Sequence, residues 1–293
     1  MIRAKENPII TQEMSDRFLK FIFFSSIVAA MVSWWDHEYV FHLKNFVVLV
    51  HEISHALAAL LTGNMVDKIT IHPNEAGETV VFYGIQNSFP FIISAGYIGP
   101  AVLGGIMLNT GFRGSHQRGI LFSIGLMILF FTIKFSETGE LAFYTGMLFS
   151  IIMMIAAWAN ALATRILLVG LGTSLALYSM YDLFDFTRSV GSTDAGILAR
   201  WLIPESEPEA VDVMGYIVAI FWSMISLGII YISIIKTFRL DHVAGTPTEP
   251  ELDQMFPGDI TPEVAEWFLS RGLDLNGNPL LPEMTEEKER NHV

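Results

Sequence analysis

The chain has 293 residues, 52% of them hydrophobic and only 16% charged, a balance too apolar for an ordinary soluble enzyme of this length. It has no cysteine, which excludes disulfides, thiolate metal sites and cysteine nucleophiles. The net charge of −13 gathers around residues 205–212 and in the tail after Asp241 rather than over a body, and no nucleic-acid partner is expected.

Residues 1–20 form a polar segment with Arg3, Lys5, Arg17 and Lys20, a cluster that favours a cytoplasmic amino terminus. The apolar run 21–35 ends on Trp34 and Trp35, which suit a membrane interface, so it reads as an uncleaved first span. Further runs lie at 46–61, 89–108, 120–133, 141–158, 166–186 and 214–235, each near the ~20 residues a helix needs to cross a bilayer. The run at 120–133 is short and the boundary at 160–165 is blurred, which leaves six or seven spans. Between the second and third runs, residues 69–72 and 79–83 alternate in polarity around the turn-forming segment 73–78, the pattern of a β-hairpin.

The expected fold is therefore an all-α multi-pass integral membrane protein: a bundle of about six or seven transmembrane helices, with a small β-hairpin between the second and third spans. Three regions follow. They are a polar segment at 1–20, a transmembrane domain at 21–236 and an acidic, Pro-rich soluble tail at 237–293. Within the tail, 262–271 reads as a short helix capped by Thr261 and ended by Gly272, and Val264, Trp267 and Phe268 make one apolar face. The tail is a place for partners to dock.

The chemistry lies at His51-Glu52-Ile53-Ser54-His55. A helix puts residues four apart on one face, so both imidazoles can bind one metal with Glu52 beside them. This is the pattern of a zinc site with its general base, in which two neutral nitrogens and a third ligand leave one position for water. Ionisable residues inside an apolar run are costly unless they share a partner. For the third ligand, Asp182 is preferred as the carboxylate deepest in an apolar run, with Asp194 as the alternative and Asp185 behind them. Asp194 also reads as an N-cap for the segment that follows it.

Packing around the motif is expected to be close. Ala56, Ala58, Ala59 and Gly63 keep one side of its helix small, and Ala95, Gly99, Ala101 and Gly105 repeat small residues along the next span. Pro100 inside that span predicts a local break or a kink. His37, His42, His72, His116, His242 and His292 fall in loops, near span ends or in the tail and are set aside as ligands. Residues 274–278 open like a calcium loop, but Pro279 and Thr285 stand where glycine and glutamate belong, so a turn is expected.

The stretch from His51 to Gly105 resembles the site-2 protease family of intramembrane zinc metallopeptidases, and most of all its short branch. The likeness rests on His-Glu-Ile-Ser-His-Ala-Leu at 51–57, on Gly63, on the hairpin with Gly77 and on Ala-Gly-Tyr-Ile-Gly-Pro-Ala at 95–101. Asp182 at the end of an apolar helix and Ser-Thr-Asp-Ala at 192–195 resemble that branch's carboxyl half. The Asn-Pro-Asp-Gly or Leu-Asp-Gly string of better-known members is absent.

The resemblance implies one zinc per chain on His51, His55 and an aspartate, Glu52 as the base, and cleavage of a partner's transmembrane segment within membrane lipid. In such proteins the hairpin is thought to receive substrate as an added strand, for which residues 79–82 would serve. Two other classes share the motif: a divalent-metal carrier or sensor, and a catalytically silent membrane scaffold.

Overall fold

The computed structural model describes residues 21–238 except 23, 35, 36, 75, 85 and 115, and residues 267, 268, 270, 271 and 273; residues 86, 178–189 and 236–238 are described by backbone alone. The polar segment at 1–20, most of the predicted helix at 262–271, the turn at 274–278 and the side chains of Asp182 and Asp185 therefore lie outside the described residues. The chain divides into two units, Met1–Arg239 and Leu240–Val293. In the second, the Arg271 guanidinium lies 4.1 Å from the Trp267 ring centre, and Trp267 meets Phe268 edge to face.

The first unit is a helical membrane bundle interrupted by one hairpin. Its elements are α1 (Phe24–Trp34), α2 (Phe41–Leu61), β1 (Met65–Ile71), β2 (Gly77–Phe82), α3 (Phe89–Arg113), α4 (Gln117–Phe135), α5 (Leu141–Ala159), α6 (Ala161–Ser189), α7 (Asp194–Leu202) and α8 (Pro208–Phe238). Among the described residues, five helices are long and apolar enough to cross a membrane: α2, α3, α4, α5 and α8. The shorter apolar stretches Phe24–Trp34 and Ala161–Leu177 coincide with the first and sixth predicted runs. The chain is thus an integral, multi-pass helical membrane protein with a small two-stranded sheet.

The boundary that was blurred in sequence is a cap. Asn160 is extended between α5 and α6, and its side chain accepts hydrogen bonds from the Leu162 and Ala163 amides at 2.7 and 3.3 Å, satisfying donors that a helix start leaves over. Helix α2 ends at Leu61, and Gly63 just past its Thr62 cap takes a left-handed φ of 76°. The Asn64 amide returns 2.9 Å to the Ala59 carbonyl, so Gly63 serves as a helix stop rather than a packing surface.

Helix α3 is the hub of the unit, packing on α2, α6 and α8. Its small residues divide between neighbours. A β-carbon at Gly99 would run into Ser54 of α2, one at Gly104 would sit 2.7 Å from the Gly172 carbonyl of α6, and one at Gly105 would meet Ser233 of α8. The backbones come this close because nothing projects between them. The break predicted at Pro100 does not occur, for α3 is continuous from Phe89 to Arg113 with Pro100 buried inside it. Proline removes one hydrogen bond and crowds the carbonyl four residues back. Here that residue is Gly96, and packing on three neighbouring helices keeps the helix whole.

The hairpin folds into the bundle. Strands β1 and β2 pair antiparallel from Met65↔Phe82 to Ile71↔Gly77, with the register stepping around Asp67. Ile69 and Ile71 join the same buried cluster as Phe46, Val50, Ile124 and Phe131 of α2 and α4. Asn64 clasps the hairpin's two ends: its side chain donates to Ser88 Oγ at 2.8 Å and accepts from the Gly84 amide at 3.0 Å. Side chains alternate across a strand, so Gly77, Thr79 and Val81 share one face of β2; Val81 packs with Ala58 and Ala59 of α2.

Candidate metal centre

His51 and His55 lie one turn apart on α2 and are buried, 6% and 5% exposed. Their Nε2 atoms are 3.0 Å apart. The second nitrogen of His55 is 2.7 Å from the Ile92 carbonyl of α3. A carbonyl only accepts, so Nδ1 carries the proton and Nε2 presents a lone pair. The His51 ring stands edge-on to Tyr97, which stacks on Trp222 of α8, and this fixes its plane.

The carboxylate that meets them is Asp194, with Oδ2 at 2.9 Å from His51 Nε2 and 3.1 Å from His55 Nε2. It is the first residue of α7. Thr193, not Asp194, caps that helix, its hydroxyl accepting from the Gly196 amide at 3.4 Å and donating to the Val190 carbonyl at 2.7 Å. The cap leaves the Asp194 side chain free to reach the imidazoles, and a carboxylate is favoured at a helix start. Burial alone would push this carboxyl up, but the two imidazoles beside it, His55 foremost, outweigh burial and hold it below the usual carboxylate range.

Two nitrogens and one oxygen facing one another at 2.9 to 3.1 Å are all lone-pair donors. A proton on one imidazole relieves part of that repulsion, whereas a shared metal ion satisfies all three. Tetrahedral zinc with bonds of about 2.0–2.1 Å sets its donors about 3.3 Å apart, so the triangle needs only a few tenths of an ångström of expansion. His51, His55 and Asp194 therefore fit a metal, and among the described residues they form the group able to hold one. Asp194 is the most open of the three, its side chain 19% exposed against 7% for each imidazole.

Glu52 sits next to the triangle, buried, with Oε2 accepting a 2.6 Å hydrogen bond from the Thr79 hydroxyl of β2. Two glycines make room for these groups. A β-carbon at Gly96 of α3 would strike the Nε2 atoms of both His51 and His55, and one at Gly77 of β2 would strike the Glu52 carboxylate. Tyr83, Phe89 and Trp201 form a row of rings with centres 5.5 and 5.8 Å apart. Burial, and after it the Asp194 carboxylate, push the Tyr83 phenol up.

The structure brings together His51, Glu52, His55 and Asp194. Asp182 and Asp185 lie in the backbone of α6, beyond the described side chains. Of the other histidines described, His37 stacks on Tyr39 and His116 precedes α4 with a left-handed φ of 56°; none joins the group. Sequence reasoning missed Gly96, Thr79, Thr193 and the Ile92 carbonyl. Gly96 lies one position from the small-residue stripe, and Thr79 lies on the strand face that alternation already defined. Nothing in the sequence marks a carbonyl as a partner for an imidazole.

The family model described as Peptidase M50B-like matches residues 24–233. No curated protein and no solved structure matches the chain.

Proposed function

The chain belongs to the Peptidase M50B-like family, a family of zinc-dependent metallopeptidases, and from that premise we propose that it is a zinc metalloendopeptidase that hydrolyses peptide bonds of membrane-embedded substrates. The observation that carries this reading is the triangle of His51 Nε2, His55 Nε2 and Asp194 Oδ2 with its edges of 2.9 to 3.1 Å, set beside Glu52 in a helix long enough to cross the membrane.

These three residues would hold one zinc per chain. When bound, the ion supplies Lewis acidity toward a water and toward the scissile carbonyl. Glu52 takes the proton of the attacking water and later delivers it to the leaving amine. Tyr97 and the Ile92 carbonyl hold the imidazoles in orientation, and the buried helices keep bulk water away from all but the Asp194 side of the site.

The substrate in this reading is a transmembrane segment of another protein, locally unwound. Strand β2 pairs with β1 on one edge, and its other edge over residues 79–82 offers main-chain groups to an added strand. The transmembrane domain at 21–236 carries the chemistry, and the acidic tail at 237–293 is a docking place for partners. A carrier would continue its ligands through several spans; among the described residues one ligand group is found, which favours the peptidase.

The test combines metal content and cleavage in detergent-purified protein. Wild type is expected to hold about one zinc per chain and to cut a labelled transmembrane peptide, and Glu52→Gln to keep the zinc and lose the cutting. A folded wild type without zinc overturns the reading. Cleavage undiminished in Glu52→Gln overturns the role given to Glu52.

A further inference from the structure

Glu52 is held from the hairpin rather than from its own helix. The inner face of β2 presents Gly77 and Thr79 to it, two residues apart, while Glu78 between them is exposed. Thr79 Oγ1 lies 2.6 Å from Glu52 Oε2 and 3.0 Å from the Glu52 main-chain oxygen. One hydroxyl proton serves one acceptor at a time, and the shorter distance makes the side-chain oxygen the stronger partner. The carboxylate lies over Gly77, where a β-carbon would overlap Oε1 and come within 2.7 Å of Cγ and Cδ.

The seat therefore has a floor that only glycine leaves open and a donor on a stiff, β-branched side chain. Thr79 is itself locked by pairing with Ile69, which is fully buried. The hydrogen bond engages Oε2, and Oε1 lies over Gly77.

We infer that Thr79 is the positioning residue of Glu52, and that through it the hairpin strand and the base are held in one register. The inference rests on the peptidase reading given above. A peptide added to the edge of β2 is then aligned with Glu52 by the same strand that orients the carboxylate, so docking and proton transfer share one rigid element. Thr79 does not touch the reacting atoms; its contribution runs through Glu52.

The experiment uses the full chain in detergent, with zinc content, melting midpoint, kcat and KM measured together on a labelled transmembrane peptide. Thr79→Val keeps shape and strand preference but removes the donor. It is expected to keep about one zinc per chain and a KM within about twofold of wild type, while kcat falls about 10- to 100-fold, the scale of losing an orienting hydrogen bond to a site residue. Thr79→Ser restores the hydroxyl and is expected to return kcat to within about threefold of wild type. Thr79→Ala, which removes the hydroxyl without leaving a methyl against the carboxylate, carries the same expectation as Thr79→Val if that variant folds poorly. An undiminished kcat in the hydroxyl-less variants, or an equal loss in Thr79→Ser, overturns the assignment.

A second readout does not depend on turnover. Melting midpoints of Thr79→Val, Glu52→Leu and the double variant should be non-additive if the two side chains share a hydrogen bond, because leucine removes the acceptor that glutamine would keep, and additive shifts overturn the contact. A wild type that holds zinc but cleaves nothing sinks the peptidase reading and, with it, the bearing of Thr79 on kcat. The cycle still decides the contact, so the two failures are distinguishable.

Discussion

Helices α2 and α8 are each long enough to cross a bilayer, yet they face different solvents. In the most apolar eighteen residues of each, 72% are buried inside the protein in α2 and 28% in α8. Helix α8 turns Ile217, Phe221, Met224 and Tyr231 outward, where lipid tails are as apolar as the side chains themselves. Helix α2 has α3, the hairpin and the start of α7 around its polar face, so His51, Glu52 and His55 find partners there that lipid would not supply. A membrane span can carry chemistry only where protein, not hydrocarbon, surrounds it.

The largest expected effect tests that claim at its centre. Glu52→Gln is nearly isosteric and should cut kcat by at least about 10²–10⁴-fold, the scale of a general base, with zinc content unchanged; retained cleavage would make α2 as inert as α8. Next, Asp194→Ala should take zinc from about one per chain to near none by elemental analysis, whereas Asp182→Ala should leave it at about one. The reverse outcome would move the third ligand from α7 to α6.

A smaller effect belongs to backbone room. Gly96→Ala pushes a methyl into both imidazoles and should cost about 1–3 kcal/mol of stability, as overpacking does, along with weaker zinc retention on dialysis against a chelator. The matched change on α8 is Gly228→Ala, where an added β-carbon meets nothing within 4 Å. It should be neutral or stabilise by about 0.5–1 kcal/mol, because alanine suits a helix better than glycine, and a melting curve in detergent decides it. Equal damage at both glycines would break the comparison.

Much of the site was legible because it is local. His51 and His55 are one helical turn apart whatever the rest of the chain does, and the alternation at residues 69–72 and 79–83 already implied the hairpin. The carboxylate was harder. Asp182 is preferred from sequence by its depth in an apolar run, but depth along a chain says nothing of distance across a bundle. The carboxylate seen against the imidazoles comes from a nine-residue helix 139 positions beyond His55, and it was the alternative in that reading. Asp194 was hard to separate from a helix cap because both roles want a short acidic residue at a helix start; Thr193 takes the cap and resolves them.

The continuity of α3 through Pro100 decides between the break and the unbroken helix that the sequence left open. One missing hydrogen bond is small against burial on α2, α6 and α8. The amino-acid sequence by itself determined what periodicity and residue chemistry dictate: apolar runs long enough to span, a paired-histidine turn with its glutamate, a hairpin and an acidic tail. Tertiary structure alone decided which distant groups meet that turn, namely Asp194, Thr79, Gly96 and the Ile92 carbonyl. The reason is physical. Contacts within a turn are set by helix geometry, whereas contacts across 27 to 143 positions depend on how whole helices and strands pack.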